Sequence, residues 1–217
     1  MSAITTGPGI KLQGEIVLWR SLASRSIFAL WMLEELGLPF RSEVVGRPRP
    51  AALLKIEPSG RVPVLVAEGE AVSEAPAICL FLADRYGEER LGPGPGEKGR
   101  GAFLKWIVWS TAVLEPAREL AETQIAPRRN GWGPGWPTLD LALEDLVRAL
   151  MGRAFLLGET FTAADVMVGG IVSIGLFCEL LPPNEALLAY DGRLQARPAL
   201  QRASALNWPA ATAPSSA

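Results

Sequence analysis

The stretch "PSGRVPVLVAEGEAVSEAPAICLFLADRYG", residues 58–87, contains the local patterns that decide the fold. Its short apolar run "VPVLV" lies between "PSGR" and "AEGEA", which predicts a buried strand followed by a tight hairpin turn. The segment "PAICLFLADRYG" opens with proline, keeps helical spacing and stops at a glycine, as a helix does. Residues 58–87 are therefore predicted to form a β-β-α unit.

The residues before this stretch predict the other half of a small α/β domain. An alternating "EIVLW" indicates a strand, and "IFALWMLEELGL" indicates a helix that ends near Gly37 and Pro39. The segment "RSEVV" is a weaker strand candidate. A β-α-β order followed by β-β-α predicts one compact α/β sandwich over residues 14–88.

The residues after this stretch predict a second, helical domain. The segment "EERLGPGPGEKGRG" alternates glycine and proline between charges, which is typical of a linker. Beyond it, Leu139, Leu143, Leu146 and Leu150 form one apolar helical stripe. The domain limits are predicted as a tail over 1–13, the α/β domain over 14–88, a linker over 89–99, an all-helical domain over 100–209 and a tail over 210–217.

Composition excludes several classes of function. The formal charge of −2 gives no indication of nucleic acid or an anionic membrane surface as a partner. The chain has no histidine, which excludes Ser-His-Asp triads, Cys-His dyads and histidine-ligated zinc. Cys79 and Cys178 lie in apolar runs and form no C-x-x-C pair, so buried reduced thiols are expected. A cytoplasmic protein without a bound metal is predicted.

Four phrases, in order, resemble the cytosolic glutathione S-transferase family across nearly the whole chain. They are "SRSIFALWMLEELGLPF", "PSGRVPVLV" with "VSEAPAI", "FTAADVMV" and "YDGRLQARPALQRA". The resemblance implies a thioredoxin-like glutathione-binding domain followed by an all-helical domain. It also implies that glutathione is a substrate, that no separate cofactor is needed, and that the protein forms a homodimer.

The resemblance gives Arg61, Val62 and Pro63 roles in binding glutathione. It implies that Pro63 follows a cis peptide bond, and that the backbone N–H and C=O of Val62 pair with the cysteinyl part of glutathione. Arg61 matches a basic position that in some members reaches the glycyl carboxylate, although a solvated surface arginine is an equal alternative. A trans proline at a strand start is the plain structural alternative for Pro63.

Glu74 and Ala75 precede the predicted helix, with Pro76 at its first position and Ala75 at its cap. A helix N-terminus offers free amides to an anion, and the resemblance implies that the γ-glutamyl carboxylate binds there while Glu74 pairs with the γ-glutamyl amine. Family members usually have serine at the position of Ala75, so we expect weaker glutathione binding, by about 1 kcal/mol for one lost hydrogen bond. A first-turn acid that favours the helix dipole is the alternative for Glu74.

The loop "WRSLASRS", residues 19–26, is the candidate for activating the thiol. A hydroxyl that donates to the sulfur beside helix N-terminal amides lowers the pKa of a thiol that is otherwise near 8.5. Counted from "LEELG", Ser24 matches the serine of the theta- and delta-like classes, and Ser21 is the second candidate. A plain N-cap role for Ser24 remains open, as does electrostatic stabilisation of the thiolate by Arg20 and Arg25.

The sequence therefore predicts a glutathione transferase that joins the thiolate to a small hydrophobic electrophile. Two alternatives stay open: another glutathione-dependent reaction on the same site, such as isomerisation, dehalogenation or peroxide reduction, and a non-catalytic binding protein of the same fold. The loop over residues 130–138, with Trp132 and Trp136 on a glycine-proline frame, either covers the site or packs at the surface. The electrophile itself is not readable from a motif.

Overall fold

The computed structural model describes residues 14–88, 90–123 and 137–209. These residues form two compact units. The first comprises residues 14–88 and 196–209, and the second comprises residues 90–123 and 137–195. The first unit contains β1 Val17–Arg20, α1 Ser26–Leu36, β2 Arg41–Val44, α2 Ala51–Ile56, β3 Val64–Ala67, β4 Glu70–Ser73, α3 Ala75–Tyr86 and α9 Pro198–Asn207. The second contains α4 Arg100–Trp109, a π-helical segment Ser110–Leu114, α5 Glu115–Thr123, α6 Leu139–Leu150, α7 Ala163–Phe177 and α8 Glu185–Gln195.

The first unit is built on a mixed sheet of four strands in the order β2-β1-β3-β4. β1 runs parallel to β2, and β3 runs antiparallel to both β1 and β4. This is the predicted thioredoxin-like arrangement of β-α-β followed by β-β-α, and only the short helix α2 was not foreseen. Because Val64 pairs with Trp19 on one side and with Ser73 on the other, the end of β1, the start of β3 and the end of β4 lie at one edge.

Helix α1 is almost wholly buried, with nine of its side chains in the core and only its two glutamates partly exposed. Its C-terminus is closed by Gly37 at φ 63°, a left-handed conformation that favours glycine. The helix packs against α3 and, on another side, against α9. α1 is therefore the centre of the first unit rather than a surface helix.

Helix α9 packs on α1, although the sequence reading placed residues 100–209 together in one helical domain. The guanidinium of Arg197 donates two hydrogen bonds to the carboxylate of Glu35, at 2.6 and 2.8 Å. Arg202 forms a second ion pair with Glu34 at 2.6 Å. The C-terminal helix thus completes the first unit.

The second unit is helical, as predicted, and its best-defined local feature is the start of α7. The Thr162 side chain accepts from the α7 backbone, and the Asp165 carboxylate accepts in return from the Thr162 N–H at 2.9 Å. Part of the predicted linker belongs to this unit, because the Leu91 carbonyl accepts from the Ala163 N–H at 2.9 Å. The Leu91 side chain is buried.

The two cysteines differ in their surroundings. Cys79 is fully buried in α3, and burial raises the pKa of its thiol. Cys178 is exposed at the end of α7, so the prediction that both thiols are buried was wrong for this residue: the buried part of α7 ends at Gly175, and Phe177 is itself 81% exposed. In the part of the chain that the structure describes, no helix has the length and apolar character needed to cross a membrane.

Candidate active site

Three segments of the first unit meet at the sheet edge defined above. They are the loop after β1 at residues 21–25, the residues before β3 at 61–63, and the start of α3 at residues 74–75. Both α1 and α3 begin at this edge, and neither has an acidic residue in its first turn. Two helix N-termini make this edge favourable for an anionic ligand, because the helix dipoles direct their positive ends toward it.

Ser24 lies at the entrance to α1. Its Oγ accepts from the Ser26 N–H at 3.2 Å and donates to the Ser21 carbonyl at 2.7 Å. It also lies 2.9 Å from the Oγ of Ser26, which is the first residue of α1 and fully buried. The Ser24 hydroxyl therefore pairs with the first amide of α1. The N-cap residue is Arg25, so Ser24 does not occupy the N-cap position considered from the sequence.

Ser21 faces the other side of the loop, toward the end of β2. Its Oγ donates to the Val45 carbonyl at 2.9 Å and accepts from Nη1 of Arg49 at 3.0 Å. Since β2 and β3 flank β1 on opposite sides, this places the Ser21 hydroxyl on the side of β1 away from β3. The two candidate serines thus point into different surroundings.

The two candidate arginines of this loop also differ. Arg20 is buried, and its guanidinium donates to Ser42 Oγ and to the Leu206 carbonyl. Burial lowers the pKa of Arg20, but its donors are engaged within the protein. Arg25 is exposed at the N-cap of α1. Of the two, only Arg25 lies at the surface of the candidate site.

The Val62–Pro63 peptide bond is cis, as the resemblance implied. Pairing of β3 with both neighbouring strands begins at Val64, so the backbone polar groups of Val62 lie outside the sheet ladder. Arg61 is exposed, and its N–H donates to Ser59 Oγ at 3.2 Å. Hydrogen bonds from the Ser59 and Ser73 side chains lower the pKa of Glu57, which ties this loop to the end of β4.

Helix α3 begins one residue earlier than the sequence suggested. Glu74, not Ala75, is the cap residue, and Ala75 and Pro76 are the first two helical residues. Proline tolerates the second position as well as the first because neither N–H has a partner within the helix. Glu74 has φ 70° and ψ 123°, a strained backbone for a residue with a side chain, and it is exposed at the site.

Two residues that shape this edge were not foreseen. Arg49 joins three segments, since its guanidinium donates to Ser21 Oγ and to the Val45, Gly46 and Gly60 carbonyls. Asn207 of α9 donates from Nδ2 to the Ser24 carbonyl at 3.0 Å. Only the "RPRP" of residues 47–50 stands out in the sequence. Trp132 and Trp136, considered above, lie outside the described residues.

Part of the first unit matches a known protein family. Residues 26–85 match the family model of the glutathione S-transferase N-terminal domain. That match covers α1 through most of α3, and so includes the Val62–Pro63 bond and Glu74.

Similar sequences extend the match beyond this domain. Glutathione S-transferase 3 of Schizosaccharomyces pombe is 35% identical over 46% of this chain and 43% of its own length. Glutathione S-transferase DHAR2 of Arabidopsis thaliana is 32% identical over 63% of this chain and 59% of its own length. The matched part thus spans about half the length of these curated relatives.

Solved structures cover nearly the whole chain. The theta class glutathione S-transferase of Xanthomonas axonopodis pv. citri, solved with glutathione bound, aligns with a TM-score of 0.68 at 25% identity. The alignment spans 87% of this chain and 96% of that one. Residues 26–85 therefore match a glutathione S-transferase N-terminal domain, and the chain as a whole is similar to glutathione S-transferases in sequence and fold.

Proposed function

We propose that this protein is a glutathione transferase that joins the glutathione thiolate to a small hydrophobic electrophile. The single observation behind the proposal is the convergence of the β1–α1 loop, the cis Val62–Pro63 bond and the start of α3 at one sheet edge. This edge combines exposed backbone groups, two helix N-termini and a hydroxyl. A tripeptide with two carboxylates and a thiol matches that combination.

Each part of glutathione has a candidate partner. The backbone of Val62 pairs with the cysteinyl residue, and the exposed Glu74 carboxylate binds the γ-glutamyl amine. The N–H groups at the start of α3, including that of Ala75, bind the γ-glutamyl carboxylate, and Arg61 binds the glycyl carboxylate. Ala75 offers no hydroxyl, so we expect affinity lower by about 1 kcal/mol than with a serine.

Ser24 is the proposed donor to the sulfur. Its Oγ lies against the first amide of α1, so a thiolate beside it also benefits from the helix dipole. Donation requires only that its hydrogen turn from the Ser21 carbonyl toward the sulfur, while Oγ keeps accepting from Ser26. A hydroxyl rotates readily to suit its partners. Ser21 is the less favoured donor because its hydroxyl faces Val45 and Arg49.

The stabilised thiolate attacks the electrophilic carbon, the S–C bond forms, and the leaving group departs with the displaced electron pair. For an addition reaction, the electron pair moves onto the acceptor and is protonated from water. The thiol releases its proton to water, and no protein base is required, since hydrogen bonding and the helix amides lower the pKa of the thiol. We also propose that the protein forms a homodimer.

The test is a pH titration of bound glutathione, followed by the ultraviolet absorbance of its thiolate. We expect a thiol pKa well below the value of about 8.5 for a free thiol. Ser24→Ala should restore the higher value, while Ser21→Ala should leave it low. If Ser21→Ala alone abolishes the shift, the assignment of Ser24 is wrong; if millimolar glutathione does not bind, the proposed function is wrong.

One observation favours a second candidate, a non-catalytic glutathione-binding protein. Both serine hydroxyls already have protein partners, so each can be purely structural. In that case glutathione binds with an unshifted thiol pKa, and Ser24→Ala changes the free energy of unfolding without changing that pKa.

A further inference from the structure

Asn207, the last residue of α9, reaches the loop that contains Ser24. It is fully buried, and its Nδ2 donates to the Ser24 carbonyl at 3.0 Å. Its own backbone carbonyl accepts from the Ala23 N–H at 2.8 Å. One residue, distant in sequence, thus holds two successive residues of the proposed catalytic loop.

The side-chain amide of Asn207 is not explained by stability. Its Oδ1 is buried and has no hydrogen-bond partner within the described residues. The amide cannot be reversed, because a carbonyl oxygen facing the Ser24 carbonyl would put two acceptors together. A leucine of similar shape would fill the same space without leaving a polar atom unsatisfied. What the asparagine adds is the bond to Ser24.

The loop needs such a restraint because it is strained. Ala23 has φ 46°, a left-handed conformation that side chains with a Cβ rarely adopt. Strained residues persist only where surrounding contacts hold them. The contacts from Asn207 act on Ala23 and Ser24, and on neither Val62 nor Glu74.

We infer that Asn207 is the positioning residue for the Ser24 hydroxyl. By fixing the Ser24 carbonyl, it sets the direction of the Ser24 side chain toward the sulfur of bound glutathione. This inference rests on the proposed function and deepens it, since it assigns the geometry of the thiolate donor to a residue of α9. Asn207 touches no part of glutathione in this assignment.

The test compares Asn207→Leu and Asn207→Ala with the wild-type protein. Both remove the bond to Ser24 and keep the backbone bond to Ala23. The matched control is Arg202→Ala, which loosens the same α1–α9 packing through Glu34 without touching Ser24. Four quantities are measured: the thiol pKa of bound glutathione, the KM for glutathione, the melting temperature, and amide hydrogen exchange of residues 21–26.

In Asn207→Leu we expect the thiol pKa to rise by about one unit, which lowers the ratio of thiolate to thiol about tenfold at a given pH. The KM should stay within about twofold, since Val62 and Glu74 are untouched, and the melting temperature should not fall. A purely structural Asn207 predicts an unchanged thiol pKa in this variant, and that result overturns the inference. An equal rise in Arg202→Ala overturns it as well.

Hydrogen exchange separates this inference from the proposed function. If the thiol pKa of glutathione bound to the wild-type protein is unshifted, the proposed catalytic function is wrong. The role of Asn207 is then tested by the hydrogen-exchange measurement alone. Faster exchange confined to residues 21–26 in Asn207→Leu, and absent in Arg202→Ala, supports the positioning role. Unchanged exchange at residues 21–26 overturns it.

Discussion

A serine hydroxyl has one hydrogen and two acceptor lone pairs, and at Ser24 both functions are in use. The lone pairs accept from the first turn of α1, while the hydrogen is directed at the Ser21 carbonyl. Accepting from the helix amide uses a lone pair, whereas donation to a thiolate would use the hydrogen, so these two roles do not compete for the same part of the hydroxyl. The Ser21 carbonyl is the group that would compete with a thiolate for the hydrogen.

The turn before Val62 depends on Gly60. Gly60 has φ 64°, and a Cβ there would lie 3.1 Å from Cγ of Arg49 and 3.2 Å from Cδ2 of Leu54. We expect Gly60→Ala to lower the free energy of unfolding by about 1–2 kcal/mol from backbone strain alone, with a further loss from crowding, as measured by urea denaturation.

Gly69→Ala is the control for this experiment. Gly69 has φ 82° and open space around its missing Cβ, so this variant experiences the strain without the crowding. If the two variants lose equal stability, the contact of Gly60 with Arg49 does not matter.

Arg49 is expected to hold the glutathione-binding turn in place. Arg49→Met keeps the aliphatic stem beside Gly60 but loses the hydrogen bonds to Ser21, Val45, Gly46 and Gly60. We expect the KM for glutathione to rise several-fold in initial-rate measurements, with the bound thiol pKa unchanged. Arg47→Met, at an exposed position two residues earlier, should leave both values as in the wild type.

At the scale of single residues, the sequence was informative where a residue lies in a recognisable short run of neighbours. Pro63 and Glu74 were identifiable because each lies in a short pattern, at a strand start or a helix start. Arg49 and Asn207 were not, because their partners lie far along the chain, at Ser21 and Ser24. A hydrogen bond between distant segments leaves no spacing pattern in a single sequence.

At the scale of elements, periodicity and breakers predicted the order of the first unit and the helical nature of the second. The helix α2, Ala51–Ile56, escaped prediction because six residues are too few to show a helical period. The start of α3 was misplaced by one residue, since proline marks a helix start without specifying the position within its first turn.

The start of α7 is expected to be a major source of stability in the second unit. The buried carboxylate of Asp165 accepts from the Leu156 and Thr162 N–H groups, from Thr162 Oγ1 and from the Tyr190 hydroxyl. Asp165→Asn places an NH2 group against these donors, so we expect a loss of about 2–4 kcal/mol in the free energy of unfolding.

Urea denaturation measures this loss, and Asp140→Asn is the control. Asp140 is an exposed residue in the first turn of α6, and its substitution should change stability by less than about 0.5 kcal/mol. Equal effects of the two substitutions would mean that the Asp165 hydrogen bonds contribute little.

At the scale of the molecule, the first unit is discontinuous in sequence. Its α/β part, residues 14–88, is completed by α9, residues 198–207, after the whole second unit. This arrangement could not be predicted from the sequence, because an apolar helix face does not specify which apolar partner it packs against. Buried contacts on α1 and the two ion pairs at Glu34 and Glu35 select the partner.

Substitutions on α9 should therefore destabilise the first unit selectively. Ala203 is fully buried, and Ala203→Asp would place an unpaired carboxylate against α1, at a cost above about 3 kcal/mol. We expect faster amide hydrogen exchange over residues 14–88 than in the wild type, with residues 137–195 retaining their protection. Ala205→Asp, the same change at an exposed position of α9, is the control and should leave both regions protected.

The late position of α9 also has a consequence during protein synthesis. The face of α1 that α9 covers is made early, while its cover is made only after residues 89–195. At a translation rate of about 5–20 residues per second, the synthesis of residues 37–197 leaves that face uncovered for roughly 8–32 s. During this interval the nascent chain exposes an apolar helix to chaperones and to neighbouring nascent chains. The synthesis of α9 therefore ends this exposure of α1.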